Sequence, residues 1–360
     1  MFSLLRICSA VLTIAFTATP ALAARVQAEE PLYPVSSVVH LKGTDVVNPS
    51  IAGNHIVYST RSLTEFRVVQ AEVSNPASEI SRIKPRWLKE ALRFGVALDN
   101  GKIGYVSNRM GPVSAWMRQG QGDGHVLIGN MGSYLGAMVP MNLHASHDGQ
   151  VWCFDTPMEK VLQSRAITQF EDTAKHPELL AQTWRFYDSN FFEHKMGYKA
   201  TETGVLSKFD SPALFILKRA NAELSMIPNA MDGAVSPDGK HIAFVRNNGG
   251  NYDIWMQDVD GSNLLQLSDT QYGEFEPAWS PDGTRVAFAS NRDSKGEVRE
   301  TSIYVVDVKS GRVTRLTNGS VSDGAPAWKD DHTIIFHSNR DPKGSGNDTV
   351  STWGLWQVSF

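Results

Sequence analysis

Five carboxylates, Asp45, Asp232, Glu274, Glu276 and Asp323, stand at matching places ahead of short apolar runs. Gathered on one side of a scaffold, they would make a negative funnel for a basic peptide, a cation or a sugar's hydroxyls. They could equally accept hydrogen bonds from loop amides and serve the scaffold alone, and both readings stay open at this point. Arg109, Arg292 and Arg340 each follow Ser-Asn, and a residue repeated in that way reads as structural. His144 and His147 suggest a metal, but residues three apart on a strand point to opposite faces, and no metal site is expected. The segment Asp341 to Asp348 (DPKGSGND) sets side-chain oxygens among glycines, as calcium loops do, yet reads as a polar turn. No G-x-S-x-G elbow occurs, and Cys153 lies in an apolar run that reads as core. No catalytic residue and no cofactor is assigned.

The elements that must position these residues come from a repeat. Pro277 to Asp293 reads PAWSPDGTRVAFASNRD, Pro326 to Asp341 reads PAWKDDHTIIFHSNRD, and Ala234 to Asn247 reads AVSPDGKHIAFVRN. Weaker copies run from Ile51, Ala97 and Ser146. The turn residues Gly53, Gly101, Gly149, Gly239, Gly283 and His332 mark six copies, 44 to 49 residues apart except for one gap of 90. Asp-Gly or Asn-Gly between two apolar runs signals a hairpin, because those residues accept positive φ. The strand after each turn is apolar on successive residues, which predicts burial on both faces. A third run follows, as at Tyr252 to Val259 or Ile303 to Val308, and then a fourth, as at Leu264 to Leu267. Four strands per period predict an all-β chain, a single β-propeller of six four-stranded blades; seven stay open because 90 is twice 45. Trp353 to Val358 corresponds to a third strand with nothing after it, and Ser37 to Lys42 supplies the missing fourth. The N-terminal strand is therefore expected to close the ring.

The PAWSPDG…VAF-x-SNRD repeat resembles that of the TolB-like propellers, relatives of the WD-repeat ring. The likeness is specific over Ala234 to Asp341 and weaker over Val38 to Asp155. It implies a ring that usually has six blades. TolB itself carries an α/β domain before its propeller, which is not expected here, and its contacts are not carried over. Thr156 to Ser211 falls outside the repeat and reads as an insertion with helical spacing after the second strand of the third blade. It should stand on the top face, where blade-to-blade connections also open. Trp184 lies within it without a repeat counterpart and joins the five carboxylates as a ligand-binding candidate.

Residues 1–23 have the layout of a secretory signal peptide: a charge at Arg6, an apolar run from Ile7 to Ala18, and Ala21-Leu22-Ala23 before the cut. Residues 24–37 form an arm and 38–360 the propeller. Loss of Arg6 would take the formal charge from −4 to −5, and a mildly acidic chain without basic runs argues against nucleic acid or membrane insertion. Cys153 would remain as the one cysteine, so no intramolecular disulfide can form. The reading is a periplasmic or secreted propeller that binds a protein or peptide through its top face. A carbohydrate-active lyase or glycosidase with a top-face site is the alternative.

Overall fold

The strands follow from turns that bond to themselves. In the turn from Ser280 to Arg285 the Ser280 hydroxyl donates to Asp282 Oδ1 (2.5 Å), which also accepts the Thr284 N–H (3.0 Å). The Arg285 N–H returns to Ser280 Oγ (2.9 Å), and Gly283 sits at φ 70°. The same set recurs at Ser146–Val151 and Ser236–His241. The repeated Ser, Asp and Gly are thus the parts of one hairpin turn, with the glycine absorbing a conformation that L side chains avoid.

The computed structural model describes residues 33–63, 65–85, 90, 92–109, 114–120, 122, 124–128, 141–156, 213–221, 223–248, 251–297, 299–343 and 349–360. The expected helical insertion with Trp184, and most of the loop at 341–348, lie outside them. Six antiparallel four-stranded sheets form a six-bladed propeller. Blade 1 covers 45–83, blade 2 92–128, blade 3 141–228, blade 4 230–266 and blade 5 274–315. Blade 6 joins Asp323–Asp330, Thr333–Arg340 and Thr349–Ser359 to Val35–Val39 from the other end of the chain. The 90-residue gap does not hide a break in the ring. Val151–Thr156 pairs residue for residue with Ala213–Lys218, so blade 3 is one sheet on either side of it.

Closure runs through Val35↔Val358, Ser36↔Gln357, Ser37↔Trp356 and Val39↔Leu355. The second strands are buried on both faces, as their unbroken apolar runs require, and the core consists of clusters between adjacent blades. Tryptophans fasten those seams. Trp279 Nε1 donates to Ala234 O and Trp328 Nε1 to Ala278 O, each 3.0 Å away in the preceding blade.

Every innermost strand carries a bulge. The pairing register shifts once in the first half of each, next to a residue with φ between 44° and 54°: Asn48, Phe94, Asn142, Asp232, Glu276 and Ala325. A bulge re-aims side chains at a strand's rim. Here it puts one re-aimed residue per blade around the channel.

Candidate functional site

The structure separates the five carboxylates into two groups. Glu274 and Asp323, two residues ahead of the bulge, point into their blades and are fully buried. Asp323 accepts Arg340 Nε (3.1 Å), Arg340 Nη2 (2.6 Å) and the Thr317 hydroxyl (2.6 Å). Glu274 accepts from Arg292, Ser268 and Thr270. Arg292 in turn lies over the Phe288 and Tyr304 rings. Asp45 is held at the rim by Arg61 Nε (2.9 Å) and by the Trp353 N–H (3.1 Å). These three carboxylates bond to the scaffold, as do the repeated arginines.

Glu90 does the same work in blade 2, bonded to Arg109 Nε (2.9 Å) and the Ser107 hydroxyl (2.6 Å) with both charges fully buried. The sequence reading missed it because it precedes its bulge by four residues rather than two. The Arg109 of the repeat, which needs a partner, was the available signal. Blade 4 has Ala230 at the carboxylate position; its Arg246 lies over Phe244 and Trp255, and burial pulls its guanidinium down.

Asp232 and Glu276 occupy the bulge itself and face the channel. They line its wide top end, a cavity of about 610 Å³, within the range of small-molecule sites, roughly 300–1,000 Å³. Asn48, Asn142, His337, Arg61 and Arg93 also reach it, with Phe94, Phe275, Met231 and Trp353 as apolar wall. Glu276 Oε2 accepts the Ala325 N–H of blade 6 (2.7 Å). Asn142 Nδ2 bridges Asp155 Oδ2 (2.8 Å) and Asp232 Oδ1 (2.7 Å), and the Asp232 N–H also donates to Asp155 (3.0 Å). Asp155 Oδ1 is buried without a hydrogen-bond partner. Burial, and then the neighbouring Asp232, push the Asp155 carboxyl well up.

His144 and His147 line the narrower end of the channel together, contrary to the expectation that they face apart. The bulge between Met141 and His144 breaks strict alternation, and His147 has already entered the turn. His144 Nδ1 accepts the Val235 N–H (3.2 Å), and burial, with His147 beside it, holds the ring at about 4. No cluster of three or more His, Cys, Asp or Glu able to hold a metal occurs among the described residues. Cys153 is buried with its thiol pushed up by burial, a core residue as expected.

Residues 209–346 match the TolB beta propeller domain family. An uncharacterized protein of Agrobacterium fabrum is 33% identical over 194 residues, 52% of this chain and 65% of that protein. A Chlorobaculum tepidum protein named as a TolB homolog is 32% identical over 99 residues, 28% of this chain and 21% of that one. The match thus spans about a fifth to two thirds of these relatives' own length. The crystal structure of TolB from Acinetobacter baumannii superposes with a TM-score of 0.52 at 14% identity, over 86% of this chain and 65% of that chain. The strongest copies of the repeat lie within the matched residues 209–346, and with its six sheets the ring is a TolB-like β-propeller.

Proposed function

We propose that this protein is an exported propeller that binds a protein or peptide partner at the top mouth of its channel, without chemistry of its own. The observation that carries the reading is the division of the carboxylates. Two residues apart on the same strand, Glu274 is spent inside its blade while Glu276 is turned into a cavity of about 610 Å³. The first bonds only within its own blade and the connection leading into it; the second, besides accepting the Ala325 N–H of blade 6, lies on the cavity wall. Residues 1–23 supply the export route, and among the described residues no helix is long and apolar enough to cross a membrane.

The test is capture from periplasmic extract by the tagged mature chain, compared with the Asp232→Asn/Glu276→Gln double variant. Deletion of 157–212 serves as the test of the insertion with Trp184. A partner retained by the wild type and lost by the double variant, with unchanged melting, supports the reading. Equal capture by both would place the partner elsewhere and refute it. Two carboxylates in an aromatic-walled pocket also meet the minimum for a glycosidase or lyase. Turnover of an acidic or neutral polysaccharide by the wild type, abolished by Glu276→Gln, would decide for that alternative.

A further inference from the structure

The wide end of the channel is electrically two-sided. In a ring of six, blade 1 faces blade 4 and blade 2 faces blade 5. Arg61 and Arg93 reach the cavity from blades 1 and 2, and Asp232 and Glu276 reach it from blades 4 and 5. The two guanidiniums are close enough to oppose each other: burial, and then Arg61, hold Arg93 at about 10. Arg93 also lies over the Phe66 ring at 4.8 Å, which fixes its plane at the wall. The apolar side chains of Phe94, Phe275 and Met231, each next in the chain to one of these charges, line the same cavity.

The anionic side carries a donor as well. His337 Nδ1 accepts the Asn48 N–H (3.3 Å), so in the neutral ring the hydrogen is on Nε2. A methyl group placed on Gly324 would meet Glu276 Oε2 at 2.6 Å and His337 Nε2 at 2.7 Å. Carboxylate and imidazole therefore both pack over the bare Cα of Gly324, in space that a Cβ would take.

We propose that the top cavity binds a short free peptide as a zwitterion, its carboxylate toward Arg61 and Arg93 and its ammonium toward Asp232 and Glu276. This rests on the reading of the channel mouth as the binding site and specifies its ligand. Arg61 also pairs with Asp45 at the rim and Glu276 with the Ala325 N–H, so neither side is bare; a lone cation or anion meets one favourable side only, whereas a dipolar ligand meets both. The apolar part of the cavity wall suits a backbone with small or aliphatic side chains. The site reads the two ends, so side-chain identity matters little.

The experiment is calorimetric titration of the full mature chain with trialanine, N-acetyl-trialanine and trialanine amide, at low salt and at about 0.15 M. Trialanine is expected to bind, and each cap to weaken binding about tenfold or more, the loss of one charge-assisted contact. Glu276→Gln, which keeps an acceptor for the Ala325 amide, should erase the discrimination against the acetylated peptide and keep that against the amide. Arg61→Gln should do the reverse. Failure of trialanine to bind at millimolar concentration, or equal binding of the capped forms, overturns the assignment. Partner capture is scored separately. A protein that ignores trialanine but still loses its partner in the Asp232→Asn/Glu276→Gln variant keeps its binding function and loses only this ligand.

Discussion

Asp323 and Arg340 show what a repeated charge costs when it is buried. Both side chains are fully inaccessible, and three hydrogen bonds reach the carboxylate. Removing one member strands the other in a medium that solvates it poorly. Arg340→Met should therefore cost about 3–5 kcal/mol in urea unfolding. Replacing both, with Asp323→Leu added, should recover a large part of that. The pair of Arg61 with Asp45 is the contrast, since the arginine side chain is 44% exposed. Arg61→Met should cost about 1 kcal/mol or less. A double variant no better than the Arg340 single variant would show that the pair contributes directional bonding beyond mutual neutralisation. At this scale the sequence was half legible. It marked Asp45, Asp232, Glu274, Glu276 and Asp323 as one set, because all sit near strand starts. Which of them face the channel depends on a bulge, and a one-residue slip in a strand reverses every side chain after it. Trp184 lies outside the described residues and keeps its standing as a candidate.

The bulged strands make the seam between blades 3 and 4 the pH-sensitive element. Two groups there act in opposite directions. His144 is held at about 4 in the ring against 6.5 in a free chain. Between those values the unfolded chain binds the extra proton, so stability is lost as pH falls from about 6.5 toward 4. Asp155 is pushed up, so the folded ring keeps a proton that the unfolded chain gives away. Its contribution is lost as pH rises from the usual carboxylate range through the raised value. The two windows overlap from about pH 4 to 6.5, where the opposed slopes offset each other, so thermal melts should be nearly level there and fall above it, where Asp155 alone acts. Asp155→Asn keeps an acceptor for Asn142 and Asp232 and gives the unpartnered buried position a donor. It should flatten the alkaline limb and raise the midpoint there by a few degrees, about 2–4 °C per kcal/mol. His144→Asn should remove the offset and extend the Asp155 decline down toward the usual carboxylate range. An unchanged pH profile in both variants would assign the response to other groups. The strands themselves were legible from Asp-Gly turns and double-sided apolar runs. The bulges were not, although their trace is in the sequence. Pro49, Gly95, Gly233, Pro277 and Pro326 follow the re-aimed residues, and only five aligned copies reveal that they mark one place.

At the scale of the whole ring, six marked copies and the way they must close were legible from the repeat, while the 90-residue gap left seven blades open until the pairing across it showed one sheet. The segment between blade 3's second and third strands was not legible, because it has no repeat to be read against. Export belongs to this scale too: mass spectrometry of secreted or periplasmic material should find a mature chain beginning at Ala24, and a retained Met1 would contradict it. Closure gives the sharper test. The first and last strands of the chain lie side by side, and Phe360 packs edge-on against Tyr33 (5.9 Å) and Trp328 (5.9 Å). Opening that seam would uncover Trp356, now 4% exposed, and the strand edge of blade 6. A single tryptophan of this kind costs about 3–5 kcal/mol to lose, out of roughly 5–15 kcal/mol available to a folded domain. Ser36 and Gln357 are directly opposed across the seam, Ser36 on the exposed side. A Ser36→Cys/Gln357→Cys variant should form a disulfide without moving the backbone, tying together almost the whole chain. The cross-link restricts the unfolded state most when the loop is long, by up to about 4–5 kcal/mol in the chain-entropy description. The oxidised variant should melt several degrees above the wild type, and dithiothreitol should return it to the wild-type midpoint. If the seam were a loose appendage, the disulfide would form and the midpoint would not move, because the ring would unfold behind a tethered but unpacked strand.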